Sequence, residues 1–269
     1  MPDKLEFYNA LRGVAKRPSW FVWKVGSQEQ QKAINGVMAF LDQHGAVYLK
    51  PTAQGGGRGL LKIARNGEGV RFHTPDNDIQ LLLDEAGAND LPATSLPADK
   101  ERVSEVMKIY RLSTRDKIVV DADMGIPSYR GNTWEIRNVF VFADRLEYLA
   151  SYAKVGVNPH FGTVRNVGTR LPCKEVLAEV GADVNYLAYQ TDIAGRCAET
   201  LVNAGVVTQE KIVWTSRIFT IDLAAAQGST PYLIEVQRCP NFKGIEAYLN
   251  EHEPEKFSHW RELVRQAQR

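Results

Sequence analysis

Apolar residues recur along this chain with two periods, and each change of period marks an element. Ile34, Val37, Met38 and Leu41 fall on one helical face. Ser27 with Gln30 has the form of a capping box ahead of them, and Gly45 stands where such a helix stops. The pattern also predicts helices over Asp76–Ala86, Ala98–Tyr110, Lys174–Val180, Asp192–Ala204 and Pro254–Gln268, with Val103, Val106, Met107 and Tyr110 inward on the second. Short apolar runs predict strands at Lys117–Val120, Trp134–Phe142, Leu146–Val155, Val213–Leu223 and Tyr232–Val236. The second and third of these, joined around Ala143-Asp144-Arg145, read as an antiparallel hairpin. Residues 1–26 carry two apolar patches, Leu5–Tyr8 and Trp20–Trp23, around the basic segment Arg12–Arg17. Trp20 and Trp23 read as packing residues rather than a base-stacking platform. The elements predict a mixed α/β chain with hairpins, not a purely parallel doubly wound sheet.

Between the first helix and the rest lies Ala46 to Arg65, AVYLKPTAQGGGRGLLKIAR. A strand bearing Lys50 enters a loop with Gly55, Gly56, Gly57, Arg58 and Gly59, and a second apolar strand leaves it. Leu60–Ile63 is too short and apolar to open a long helix, so the stretch reads as a hairpin. Glycines tolerate positive φ and let backbone amides approach a ligand closely, which suits a loop folding over phosphates. Lys50 at its mouth supplies a point charge for them. A Walker A loop is excluded because no Lys-Ser or Lys-Thr follows the glycines. The dinucleotide fingerprint is excluded because Leu60 stands at its last glycine position. The glycines alone leave a plain flexible hairpin tip equally open.

A second cluster occupies residues 217–244, RIFTIDLAAAQGSTPYLIEVQRCPNFKG. Two β-rich runs flank an eight-residue connection containing Gly228, a hairpin with a longer loop. Alternation places Thr220 and Asp222 on one face of the first run, and Leu233, Glu235 and Gln237 on one face of the second. A carboxylate buried in such strands needs a cation, a basic residue or water. Hard oxygen donors on adjacent strands suit Mg²⁺, which is completed by substrate phosphates. Solvent-facing carboxylates, or pairs with Arg217 or Arg238, are the alternative.

Composition narrows the classes. The 269 residues suffice for one large domain or two close lobes, and 44% apolar with 24% charged residues is ordinary for a globular chain. A formal charge of +1 gives no field for nucleic acid or acidic membrane. The start has no apolar signal core, and no run of 18 apolar residues occurs, so a cytoplasmic protein is expected. Cys173, Cys197 and Cys239 show neither zinc spacing nor a disulfide framework and read as reduced thiols.

Taken in order, these motifs resemble the ATP-grasp family. Lys50-Pro51 with the 55–59 loop, and Asp222 with Ile234-Glu235-Val236-Gln237, look like the two ends of its nucleotide site. Between them, Val119-Val120-Asp121 resembles the hinge strand and Trp134-Glu135-Ile136-Arg137 the "D-x-R" strand. Ala153-Lys154-Val155-Gly156 resembles "A-R-V-G", and Arg165-Asn166-Val167-Gly168 the asparagine motif that follows. The chain is most similar, over about residues 46–244, to the spore-coat-associated YheC/YheD-like branch.

The resemblance implies an α/β (α+β) ATP-grasp fold whose two lobes, with mixed or antiparallel sheets, clasp a nucleotide. Residues 1–45 would be a lead-in, 46–120 the first lobe and 121–269 the second lobe with the metal site. It implies ATP and Mg²⁺ as cofactors. Lys50 and Gly55, Gly56, Gly57, Arg58 and Gly59 would hold phosphates. Backbone at Val120, Asp121 and Ala122 would meet adenine, with Asp121 or Asp123 near the ribose. Arg137, Lys154 and Asn166 would act on the transferring phosphoryl group or an acyl phosphate, and Asp222, Glu235 and Gln237 would carry the metal. The implied activity is a carboxylate–amine ligase working through an acyl phosphate on an amino acid or peptide. A non-catalytic nucleotide-binding protein and a small-molecule kinase are the alternatives. Gln237 replaces the usual asparagine, Lys154 an arginine and Glu135 an aspartate, and Thr169-Arg170 stand where a second glycine is usual. Lys16 and Lys24 are candidates by position for the family's upstream nucleotide lysine. Only about 45 residues precede the Lys50 strand, where such ligases carry a front domain; the resemblance leaves either a shortened version or a surface supplied by a partner protein or a second copy.

Overall fold

The computed structural model describes residues 4–24, 29–52, 58–67, 69–88, 96–113, 117–142, 145–157, 159–161, 168–183, 185–208, 218–225, 230–237, 240 and 242–267. They form two compact units, one of residues 18–124 and one of residues 2–17 with 125–269.

The first unit holds strands β1 (Trp20–Lys24), β2 (Ala46–Pro51), β3 (Leu61–Asn66), β4 (Gly69–His73) and β5 (Lys117–Ala122), with helices α2 (Gln30–His44), α3 (Asn77–Glu85) and α4 (Leu96–Ser113). Its sheet runs β1-β5-β2-β3-β4 with every pair antiparallel. The expected hairpin is therefore present: β2 enters the glycine-rich turn and β3 returns from it, with Leu49 opposite Leu61. Strand alternation sends Val47, Leu49, Leu61, Ile63, Ile118 and Val120 to the face covered by the three helices, where they meet Ile34, Val37, Leu41, Leu83, Val106 and Met107. Tyr48, Lys50, Lys62 and Asp121 occupy the other positions of the same strands. Helix α2 stops at Gly45 in the left-handed region, φ +74°, as its sequence predicts. Ser27 of the expected capping box lies outside the described residues, and the cap position is Glu29, with no side-chain hydrogen bond.

The second unit holds α1 (Lys4–Ala10), β6 (Trp134–Phe142), β7 (Leu146–Val155), β8 (Thr169–Leu171), α5 (Cys173–Glu179), α6 (Tyr186–Asn203), β9 (Ile218–Ala225), β10 (Pro231–Gln237), α7 (Phe242–His252) and α8 (Pro254–Ala267). Its sheet, β10-β9-β6-β7-β8, is also wholly antiparallel. On one face Trp134, Ile136, Ala153 and Val155 pack on Cys173, Val176 and Leu177 of α5 and Tyr186 of α6. On the other, Val139, Val141, Ala150, Tyr152 and Ile218 pack on Ile245, Tyr248 and Leu249 of α7 and Trp260 of α8. Within the core, Asn138 and Gln190 exchange amide hydrogen bonds of 3.0 and 3.2 Å, so both buried side chains are satisfied. The segment before residue 18 lies along β10: Leu233 N–H donates to the Lys16 carbonyl at 2.9 Å, and the Tyr8 hydroxyl donates to the Ile234 carbonyl at 3.3 Å.

One expectation from alternation fails in β10. Leu233 opposes Leu223 while Glu235 opposes Asp222, so two residues on β10 span one on β9. This bulge turns Leu233 to the face opposite Glu235 and Gln237, and Leu233 is buried while both polar residues stay half-buried.

Candidate functional site

In the first unit Lys50, Lys62 and Asp121 lie on one sheet face in register. Tyr48 of β2 is flanked by Lys62 across β3 and by Asp121 across β5. Lys50 Nζ lies 2.9 Å from Asp121 Oδ2, and Lys62 Nζ lies 2.9 Å from Asp123 Oδ2. Both ammonium groups also approach the Tyr48 ring, at 5.5 and 4.9 Å from its centroid. Burial, then the Asp123 charge, push the Tyr48 phenol up to about 12. Burial works to lower the Lys62 ammonium, but Tyr48 and Asp123 outweigh it and hold it above its usual value. The sequence reading missed Tyr48 and Lys62; the strand alternation around Lys62 was the available signal.

Of the other nucleotide candidates in this unit, Arg58 is exposed and Gly59 has φ +65°. Gly55, Gly56 and Gly57 lie outside the described residues. Val120 faces the helix-covered core, and β5 is paired on both sides, with Asp121 opposite Trp20 and Tyr48. The Ala122 amide donates to the Ser19 carbonyl and the Asp123 amide to the Ala46 carbonyl, both within the unit. These two amides are therefore occupied.

In the second unit Arg137, Asp222 and Glu235 occupy one register row across β6, β9 and β10, and Glu135 pairs with Lys154 across β6 and β7. Arg137 grips both Asp222 oxygens, Nε to Oδ1 at 2.8 Å and Nη2 to Oδ2 at 2.6 Å. Lys154 Nζ donates to Asp222 Oδ2 at 3.2 Å and also to Glu135. Two cations and two anions thus share a space where Asp222 is 0% and Arg137 5% exposed. Burial works to raise the Asp222 carboxyl, but the Arg137 and Lys154 charges hold it below its usual value. For Glu135 burial wins and the carboxyl is raised despite Lys154. Both Arg137 and Lys154 are raised, burial being overcome by the carboxylates around them.

Glu235 and Gln237 adjoin this cluster. Gln237 Nε2 donates to Glu235 Oε2 at 2.6 Å, and Lys4 Nζ lies 3.9 Å from Glu235 Oε1. Thr220, opposite Gln237, is fully buried, and its hydroxyl has no hydrogen-bond partner among the described residues. Two carboxylates, an amide oxygen and this spare hydroxyl are hard donors of the kind Mg²⁺ takes. The donor set fits that ion in kind, although both Asp222 oxygens are engaged by cations. Among the described residues no group of three or more His, Cys, Asp or Glu side chains could hold a metal. Asn166 lies outside the described residues.

The fold has known counterparts. The structure of D-cycloserine synthetase aligns with TM-score 0.55 at 13% identity, covering 98% of this chain and 70% of that one. N5-carboxyaminoimidazole ribonucleotide synthetase, solved as its ADP complex, aligns with TM-score 0.51 at 13% identity, covering 98% of this chain and 51% of that one. A search of curated protein sequences finds no match. At these identities the structural likenesses establish a shared fold and nothing finer. The family described as YheC/D-like ATP-grasp matches residues 1–259, and it is to this family that the chain belongs.

Proposed function

We propose that the protein is an ATP-dependent carboxylate–amine ligase that works through an acyl phosphate. The observation that carries the reading is the row Arg137–Asp222–Glu235 on neighbouring strands, with Lys154 bonded into it. Such a row offers two fixed cations to a transferring phosphoryl group and carboxylates to a divalent ion beside it. A substrate carboxylate oxygen would attack the γ-phosphorus, the bond to the β-phosphate oxygen would break, and ADP would leave. The amine would then attack the acyl carbon, phosphate would depart, and the nitrogen would lose a proton. The protein has to position the reactants and neutralise charge. Lys50 and the glycine-rich turn are assigned to the phosphates. Arg137, Lys154 and Asn166 are assigned to the transferring group, and Asp121 and Asp123 to the ribose side. Asp222, Glu235 and Gln237 would hold Mg²⁺, which neutralises phosphate charge when bound.

A second reading has an observation of its own. Arg137 and Lys154 are both held by internal carboxylates, so their charge is already balanced. That arrangement also suits a protein that binds nucleotide without turnover.

Calorimetry of ATP with and without Mg²⁺, on wild type and Glu235→Ala, tests the proposal. Binding that requires Mg²⁺ and is lost in the variant is the expected result, with ADP release dependent on both a carboxylate and an amine. Binding indifferent to Mg²⁺ and to Glu235, without ADP release, favours the second reading. Lys50→Ala should weaken ATP binding by about 1.5–3 kcal/mol, the worth of a hydrogen bond to a charged group. An unchanged affinity removes Lys50 from the site.

A further inference from the structure

We infer that Tyr110 and Asp76 are positioning residues for Lys50, tying the end of β2 to Gly59 ahead of β3 without touching the nucleotide; this rests on the assignment of Lys50 to phosphates. Tyr110 sits on α4 and is 1% exposed. Its hydroxyl donates to the carbonyl of Gly59, where the turn returns, and lies 3.3 Å from the carbonyl of Leu49, the residue before Lys50. One phenol therefore links the end of β2 to the residue two positions before β3. From the other side, the Gly59 amide donates to Asp76 Oδ2 at 2.7 Å. The second Asp76 oxygen accepts from the Asp78 amide at 3.1 Å and caps α3. The neighbouring peptide is held as well, since Thr74 Oγ1 donates to the Leu60 carbonyl at 2.6 Å and accepts from the Asp76 amide at 3.0 Å.

An ordinary hairpin needs none of this. The β2–β3 ladder ends at Leu49 opposite Leu61, so the polar groups of Gly59 lie beyond it and still need partners. Side chains from the start of α3 and from α4 supply them. Gly59 accepts this double engagement because φ +65° is open to glycine. A buried hydroxyl is costly unless bonded, and phenylalanine would fill the same volume in the core. The hydroxyl's bonds to Leu49 and Gly59 are what phenylalanine would lose. Their effect is preorganisation: Lys50 and the returning strand keep a set separation before any ligand arrives, so binding need not order them.

Titration of ATP and adenosine into wild type, Lys50→Ala, Tyr110→Phe, Asp76→Asn and Asp76→Ala tests this, with thermal midpoints measured in parallel. Tyr110→Phe should weaken ATP roughly tenfold, about one hydrogen bond's worth of preorganisation, and leave adenosine unchanged. Asp76→Ala should behave like Tyr110→Phe, whereas Asp76→Asn, which keeps an acceptor for the Gly59 amide, should retain most of the ATP affinity. A lowered thermal midpoint with an unchanged ratio of ATP to adenosine affinity overturns the inference, because the two side chains then serve stability alone. If wild type gains nothing from the phosphates and Lys50→Ala matches it, the assignment of Lys50 to phosphates falls, and the positioning role falls with it.

Discussion

Asp222 is closed off from bulk solvent, so its neighbours decide what its charge costs. It is 0% exposed and accepts two bonds from Arg137 and one from Lys154. Taking one member from such a group leaves buried charge uncompensated, so Asp222→Asn should destabilise the fold by about 3–5 kcal/mol in chemical denaturation. The pH dependence follows from the sign of its shift. The carboxyl lies below the ordinary 3.8 in the folded protein, so its contribution is fully present above 3.8 and disappears as pH falls through the folded value. The gap between wild type and variant should therefore close in strong acid. A gap that persists there would mean that packing, not charge, accounts for it. Glu135 works in the opposite sense: raised above 4.5, it costs stability as pH rises past that value. The sequence showed Arg137 and Asp222 as polar positions in apolar strands. It could not show that they meet, because their pairing joins residues 85 apart through a register that no local pattern contains.

Elements were legible where one period ran uninterrupted. Trp134–Phe142 and Leu146–Val155 appear as read, because each is a long apolar run bounded by a polar turn. The five-residue β4 was missed, with alternation too short to stand out, and so was α7, which follows β10 too closely for its period to separate from the strand's. The bulge in β10 was invisible for a related reason: it depends on the partner strand rather than on β10 itself. Helix α2 offers a test of packing at this scale. Alanine in place of a helical glycine normally stabilises by up to about 1 kcal/mol. At Gly36, however, a Cβ would stand 2.8 Å from Cζ of Phe21, whose ring already packs edge-on against Phe40 at 5.5 Å. Gly36→Ala should lower stability by about 1–2 kcal/mol, read as a drop in thermal midpoint. Gly244→Ala is the control, since its nearest atoms, at 2.6 Å, belong to the Arg170 guanidinium, the far end of a flexible side chain. That variant should stay close to wild type.

Over the whole molecule the two units are not two successive stretches of chain. Residues 2–17 belong with 125–269, and residues 18–124 form the other unit between them. The expected lead-in of residues 1–45 thus contributes to both, with β1 an edge strand of the first sheet and α1 set against β10. Among the described residues no helix is long and apolar enough to cross a membrane. Shortening the chain by residues 2–17 should leave β10 without its Lys16 and Tyr8 bonds. Hydrogen exchange should then quicken in β9 and β10 while β2 and β5 keep their protection; uniform loss would mean that the segment supports more than the second sheet.

The same attachment has a consequence in time. Tyr8 and its partner Ile234 are 226 positions apart. At roughly 5–20 residues per second, a ribosome makes the first about 10–45 s before the second. Through that interval the apolar side of α1 has no β10 to lie on, whereas residues 18–124 have every strand of their own sheet as soon as Ala122 is made, well before Ile234. The second unit is therefore completed only when residues made early meet β10, a strand made late.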